Sequence, residues 1–401
     1  MVNKKLNNNI KKKKTNKSVA KRGGISSSKS SKKESKIKIS LKNKAGILSK
    51  TKKLKKQKQV SSLSKKLLLN KPKENLIIMP IADHDWEAWQ VFNPGVIALE
   101  KRIHFLYRAI GVDEISRFGY ASSLDGFLVD ERLPYPVYEH PSLSSGLNYY
   151  SFGSGGSFGG AEDARLTRVD NEDNIFMTYT ACDEGLRVAL TSIKVKDFLE
   201  KNWQWKKPIL ISPPGEVHKN WVIFPEKING QYAILHSLRP KVSIAYRDNL
   251  NFQKGEYINS FYDGYYNEDI GWELRIRGVG APPIKTKYGW LIFYHANDKL
   301  EPNKYKVGAM LLDLMNPEII LMRSSMPILE PDESFQSNGF KPGIVYVSGA
   351  VAKNDILFIY YGVADNYVCV AWANFDEFLN NLIQQVKPKL KQKKLLKKKL
   401  I

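Results

Sequence analysis

The chain has 401 residues, with 63 Lys and Arg against 40 Asp and Glu, two cysteines and a net charge of +23. That charge belongs to the ends: residues 1–75 hold 26 Lys or Arg and only Glu34 and Glu74, residues 387–401 add eight lysines and no acid, and residues 76–386 carry a net charge of −9. Such a composition excludes a disulfide-stapled scaffold, and without a secretory apolar region or a long uncharged apolar run it leads us to expect a cytoplasmic protein.

Residues 1–75 are rich in Lys, Asn and Ser and lack aromatics. They cannot bury enough apolar surface to offset ordering entropy, so a disordered basic tail is expected. Clustered lysines attract phosphate groups without sequence preference, which leaves non-specific contact with nucleic acid or anionic surfaces open. A transit peptide fits poorly, because Arg22 is the only arginine of the tail.

The central part, 76–386, is expected to fold as one domain. Residues 76–92 read as a strand that closes a ring and removes a free sheet edge. Five stretches then share one pattern, a polar or glycine-containing start followed by several strands. They begin at Asn93, Gly160, Asn220, Gly280 and Ser348, with offsets of 67, 60, 60 and 68 residues. Their second strands align as FLYRA (105–109), MTYTA (177–181), AILHS (233–237), IFYHA (292–296) and FIYYG (358–362). Repeats of this size with several strands each predict an all-β, five-bladed β-propeller flanked by disordered tails. Such a fold gathers equivalent columns of the repeats around one axis.

Long insertions at 135–160, 255–277 and 328–347 are expected as loops on one rim, where binding residues concentrate. The glycines before Gly160 have the wrong spacing for a dinucleotide fingerprint and precede strands. No metal-ligand spacing is present, and the acidic run 170–174 lacks the glycine and distal Glu of a calcium loop. Cys182 and Cys369 lie in apolar strands and read as two separate buried thiols. A short helix is expected from Asp376 to Val386, followed by the basic tail 387–401.

The sharpest local signal is Gly-Gly-Ala-Glu-Asp-Ala-Arg at 159–165. A structural reading makes it an ion pair of Glu162 with Arg165. Asn93, Arg108, Asp125, Lys219, His236, Arg239, Arg275, Arg277, His295 and Asp365 occupy repeat starts or positions just after the aromatic column. Converging on an axis, they would be costly as buried charges without a ligand.

The words NPGV…FLYRA…SSLDG (93–126), GGAEDARL…MTYTA (159–181), KNWVIFPEKINGQYAILH (219–236), GAPPIKTKYGWLIFYH (280–295) and YYGVAD (360–365) resemble glycoside hydrolase family 130. These are the β-mannoside phosphorylases and related β-mannosidases, and the resemblance implies a five-bladed propeller. It implies Asp163 as proton donor, Asn93, Arg108 and Asp365 around the reacting sugar, with Asp125 beside them, and Lys219, Asn220 and His295 on phosphate. Ala164 stands where the family has proline. Ser237 and Ile276 stand where it has basic phosphate contacts, so Arg239, Arg275 and Arg277 are expected to supply that charge. The implied activity is inverting phosphorolysis of a β-mannoside oligosaccharide to mannose 1-phosphate, with inorganic phosphate as co-substrate and no cofactor or metal. A homo-oligomer is left open.

Two alternatives stand beside it. A β-mannosidase would use water and need a carboxylate base, for which Glu268, Glu273 and Glu333 are candidates. A silent propeller would only bind glycans. Trp86, Trp89, Tyr149, Tyr150, Trp221, Tyr266 and Trp272 suit sugar stacking, with Trp221 and Trp272 favoured by their neighbours.

Overall fold

The computed structural model describes residues 67, 69–141, 154–183, 185–260, 272–273, 275–297, 301–331 and 338–385. Within them the chain is of the all-β class. Strand β1 (Leu76–Ile78) comes first. A first group holds β2 (Gln90–Leu99), β3 (Arg102–Ile110), β4 (Ile115–Ser123) and the short β5 (Glu131–Arg132). The second holds β6 (Gly159–Arg168), β7 (Asn174–Asp183), β8 (Gly185–Lys194) and β9 (Ile209–Leu210), with helix α1 (Val195–Leu199) after β8. The third is β10 (Val222–Ile223), β11 (Tyr232–Ser237) and β12 (Ser243–Arg247). In the fourth, β13 (Arg275–Val279) and β14 (Ile284–Thr286) both pair with β15 (Gly289–Asn297), followed by β16 (Lys306–Leu312) and β17 (Ile320–Arg323). The fifth is β18 (Val345–Lys353), β19 (Ile356–Val363) and β20 (Tyr367–Asn374), leading into helix α2 (Phe375–Ile383).

Pairing within each group is antiparallel, and a short parallel contact, Ile115 with Gly159 and Ser116 with Gly160, joins the first group to the second. The middle strands read as continuous apolar runs because both faces are covered: all nine residues of β15 are buried. Five apolar clusters lie between successive groups. Phe118 shares a cluster with Met177, Leu190 with Ile234, Leu235 with Tyr294, and Phe293 with Tyr361, while Tyr360 packs edge-on against Phe105, which links the fifth group to the first.

The expected N-terminal closing strand is β1, which pairs with β20 through Leu76 to Cys369 and Ile78 to Val368. The folded part begins earlier than the sequence reading placed it. Leu67 is buried, Asn70 and Trp372 exchange backbone hydrogen bonds of 2.7 and 2.8 Å, and Val370 N–H donates to Asn75 O at 2.9 Å. The bulk of the expected N-terminal tail, residues 1–66, and the C-terminal tail 387–401 lie outside the described residues. Helix α2 starts at an Asn374 cap, whose Oδ1 accepts the Glu377 N–H at 2.9 Å, and it buries Phe378, Leu379 and Leu382. Cys182 and Cys369 are buried thiols in β7 and β20. Among the described residues no helix is long and apolar enough to cross a membrane.

The feature that positions the site is a recurrent break at the start of four of the five groups. Register slips between Phe92 and Gly95 in β2, Glu162 and Arg165 in β6, Ile276 and Gly278 in β13, and Val347 and Gly349 in β18. Asn220 lies just before β10. Asn93, Asp163 and Asn220 have left-handed backbones, with φ of 45°, 54° and 65°. A bulge of this kind re-aims a side chain out of the ladder. The equivalent start of the second repeat is therefore Asp163, not Gly160, and that of the fourth is Arg277, not Gly280.

Candidate active site

The bulged positions converge. Asn93, Asp163, Asn220 and Arg277, from four different groups, line one cavity of about 430 Å³, together with Lys219, Lys341, Tyr305, Tyr346 and Asp365. Asp163 is only 5% exposed. Its Oδ1 accepts Asn93 Nδ2–H at 2.9 Å and lies 3.5 Å from Arg108 Nη1. Both neighbours address the same oxygen.

Glu162, one residue earlier, sits in a charged cluster and does not itself line the cavity. Arg108 Nη2 donates to its Oε1 at 3.0 Å, Lys219 Nζ lies 3.0 Å from Oε2, and Ser154 Oγ donates to Oε2 at 2.5 Å. Burial alone would push this carboxyl up, but Arg108, Lys219 and Ser154 outweigh it and hold the group at about 2. Arg108 is itself fixed by Ser116, to whose Oγ its Nε donates at 2.8 Å, and by the face of Phe92, 4.7 Å away. Lys219 also donates to Ser154.

On the far wall Lys341 Nζ stands 3.4 Å from Asp365 Oδ2. Burial raises the Asp365 carboxyl, opposed by Lys341 and Arg108 and reinforced by Asp163. Gln90 Nε2 donates to the Asp365 backbone oxygen at 2.7 Å. Asn220 donates to Arg277 O at 3.0 Å and accepts from the Tyr346 hydroxyl. The Arg277 guanidinium lies 5.2 Å from the Tyr305 ring centre.

Several expectations need correction. The Glu162–Arg165 ion pair does not form, because the bulge turns Arg165 away. Its Nε donates to Gly280 O at 2.5 Å and its Nη1 to Asp163 O at 2.7 Å. Asp125 is an exposed turn former and does not line the cavity: its Oδ1 accepts the N–H groups of Phe127 and Leu128 at 2.8 and 2.9 Å. His295 is fully buried beneath the wall. Its Nε2–H donates to Val347 O at 2.9 Å and its ring stacks on Tyr346 at 3.9 Å. Burial, with Arg165 and Arg277 adding to it, lowers its pKa to about 3, so the ring is neutral and supports Tyr346. Arg239, just after β11, and Arg275, at the start of β13, do not line the cavity, whereas Arg277 on the bulge of β13 does. His236 is likewise off the cavity, with a ring nitrogen 2.7 Å from Ser260 Oγ.

The aromatic candidates serve as packing. Trp221 lies between His218 and His236, Trp86 and Trp272 stack on Tyr107 and Tyr294, and the exposed Trp89 does not line the cavity. The Glu273 carboxylate is 1% exposed and pairs with Arg323, so it does not face the cavity. Tyr149, Tyr150, Tyr266, Glu268 and Glu333 lie outside the described residues. Missed by the sequence reading were Lys341, Tyr305 and Tyr346. Lys341 falls in the insertion 328–347 already marked as a rim loop, which was the one available signal. Among the described residues no group of three His, Cys, Asp or Glu gathers for a metal ion.

Comparison with known proteins shows the family. The family model described as beta-1,4-mannooligosaccharide phosphorylase matches residues 71–384. A 1,2-beta-oligomannan phosphorylase of Thermoanaerobacter sp. (strain X514) is 33% identical over 323 residues, covering 76% of this chain and 96% of the relative. A Beta-1,2-mannobiose phosphorylase of Listeria innocua is 35% identical, covering 76% of this chain and 78% of the relative. The solved Beta-1,2-Mannobiose phosphorylase from Listeria innocua, in complex with beta-1,2-mannobiose, aligns with a TM-score of 0.59 and 26% identity, covering 78% of this chain and 99% of that one. With a family match running from residue 71 to 384 and relatives a third identical over three quarters of its length, the chain belongs to glycoside hydrolase family 130.

Proposed function

We propose that the protein is a β-mannoside phosphorylase, cleaving β-mannosidic bonds with inorganic phosphate and inversion to give mannose 1-phosphate. One observation carries the reading: Asp163 shares a cavity with Lys219, Arg277 and Lys341, and no glutamate lines it among the described residues. A phosphate dianion brings its own nucleophilic oxygen and needs cations to hold it beside a carboxyl group. Water needs a carboxylate base instead; of the three glutamate candidates only Glu273 is among the described residues and it is paired with Arg323, while the cavity's second carboxylate, Asp365, is paired with Lys341.

In this reading a phosphate oxygen attacks the anomeric carbon from the face opposite the glycosidic oxygen. The carbon–oxygen bond to the leaving sugar breaks, and the Asp163 proton reaches that oxygen, through a sugar hydroxyl as the family resemblance implies. Asn93 and Arg108 hold Asp163 in place, and Asp365 contacts the same sugar. Lys219, Asn220, Arg277 and Lys341 take the phosphate. The relatives at 32% to 35% identity are named for β-1,2-mannosides, whereas a β-1,4 relative is 27% identical over 41% of this chain. The β-1,2 linkage is therefore the proposed substrate.

The finer architecture belongs to the same proposal. Five antiparallel groups, with an apolar cluster between each and the next and between the last and the first, support a closed five-bladed propeller. The catalytic domain then spans about residues 67–385, flanked by basic tails that take no part in the chemistry. An intracellular compartment, where phosphate is abundant and buried thiols stay reduced, suits the reaction.

Incubating the purified protein with β-1,2- and β-1,4-mannobiose, with and without phosphate, tests the reading. Phosphate-dependent release of mannose 1-phosphate from the β-1,2 disaccharide is expected. Free mannose released without phosphate would make the protein a mannosidase, and no turnover of either would return it to a binding role.

A further inference from the structure

Two of the five groups carry the same side-chain cassette, built around a buried glutamate and tyrosine, which takes no direct part in the chemistry above. In the first group Trp86-Glu87 precedes β2, Tyr107 lies on β3, Gly119 on β4 and Arg132 on β5. In the fourth, Trp272-Glu273 precedes β13, Tyr294 lies on β15, Gly308 on β16 and Arg323 on β17. Their registers coincide. Tyr107 pairs across to Gly119 and Ala121 to Arg132, while Tyr294 pairs to Gly308 and Met310 to Arg323.

The contacts match as well. Tyr107 donates to Glu87 Oε2 at 2.8 Å, and Tyr294 donates to Glu273. Arg132 Nη2 lies 2.5 Å from Glu87 Oε2, and Arg323 Nη2 3.0 Å from Glu273 Oε2. Trp86 and Trp272 stack on the tyrosines at 6.3 and 6.0 Å. A Cβ on Gly119 or Gly308 would collide with the opposing ring, so the glycine makes the tyrosine's space. In the other three groups the same column pairs Tyr179 with Ala189, Leu235 with Ile244 and Tyr360 with Val370.

Each cassette stands beside a bulge that aims a cavity residue. Tyr107 lies opposite the break at Asn93 and precedes Arg108. Tyr294 pairs with Val279, just past the break at Arg277. Each glutamate leads into the same bulged strand. A bulge gives up ladder hydrogen bonds, so a tie from the strand's approach to its neighbour restores rigidity where aim matters.

We propose that the two cassettes are positioning devices for separate halves of the reaction. Glu87, Tyr107 and Arg132 set Asn93 and Arg108 around Asp163 and serve the sugar. Glu273, Tyr294 and Arg323 set Arg277 and serve the phosphate. This inference rests on the phosphorolytic reading, deepening it to two independently held subsites.

The test uses Tyr107→Phe and Tyr294→Phe, which keep the rings and remove the ties. Misplacing a binding group by a fraction of an ångström costs about tenfold. Tyr294→Phe is expected to raise the KM for phosphate about tenfold with the KM for β-mannoside unchanged, and Tyr107→Phe to do the reverse. Arg323→Lys should stay near wild type, while Arg323→Met should copy Tyr294→Phe. Equal changes in both KM values, or lower melting temperatures with both KM values unchanged, would overturn the proposal. The wild type decides the parent reading separately. If it turns over mannoside without phosphate, the cassettes are judged on mannoside alone: Tyr107→Phe must still raise that KM, and a matching rise in Tyr294→Phe overturns them.

Discussion

Glu162 and Asp163 are neighbours on one strand with different tasks, and the bulge between Glu162 and Arg165 is what separates them. Glu162 holds Arg108 and Lys219, and Asp163 faces the cavity. Removing the charge of a fully buried carboxylate leaves two cations short of a partner, at a cost of about 3 kcal/mol. Glu162→Gln is therefore expected to lower both stability and turnover, whereas Asp163→Asn should abolish turnover with little change in melting. The sign of the acid dependence follows from the depressed carboxyl. Its folded value is about 2, below the ordinary 4.5. Its stabilisation is therefore complete above about pH 4.5 and is lost as pH falls toward 2. Urea titrations between pH 7 and 3 check this, and Glu162→Gln should flatten the acid limb. An unchanged limb would show that another group carries it.

At the scale of elements, what was legible in the sequence was whatever repeats. The second-strand column placed Arg108, and the starts of the repeats placed Asn93 and Asn220, because strands buried on both faces leave long apolar runs with polar punctuation. Asp163 was legible from its acidic motif, although the repeat alignment missed its column by three residues, since bulges of differing length shift register without marking the sequence. His295 occupied the correct column but faced a backbone carbonyl, a distinction that only packing makes. Lys341 comes from a loop with no periodicity and Tyr346 from the first residues of β18 behind it, and nothing in that composition separates a wall from a surface. The bulges also require close approach. A Cβ on Gly95 would sit 2.6 Å from Ala164 O, a backbone atom that cannot turn aside. Gly95→Ala is expected to cost about 1–3 kcal/mol by overpacking and to lower turnover by moving Asn93 off Asp163. Melting and kcat measured together check it, and a stability loss with full kcat would detach the bulge from the chemistry.

For the whole molecule, stability depends on how the last sheet is closed. The fifth group would leave β20 as an open edge, and β1 covers it from the N-terminal side. The cover extends upstream through Asn75 and Asn70 to Leu67, which is 5% exposed in the cluster between the fourth and fifth groups. Two truncations separate a tail from a structural strap. Deleting residues 1–66 removes most of the basic charge and none of these contacts, so melting and phosphorolysis should match the full chain. Deleting residues 1–75 removes a buried leucine and three backbone hydrogen bonds to β20, an expected loss of about 3–5 kcal/mol. The shorter protein should melt several degrees lower while retaining its KM for phosphate, because the strap pairs with β20, which contributes no residue to the cavity. Equal melting of the two truncations would show that β1 alone secures the edge, and a changed phosphate KM after the first deletion would bring the basic tail into the chemistry.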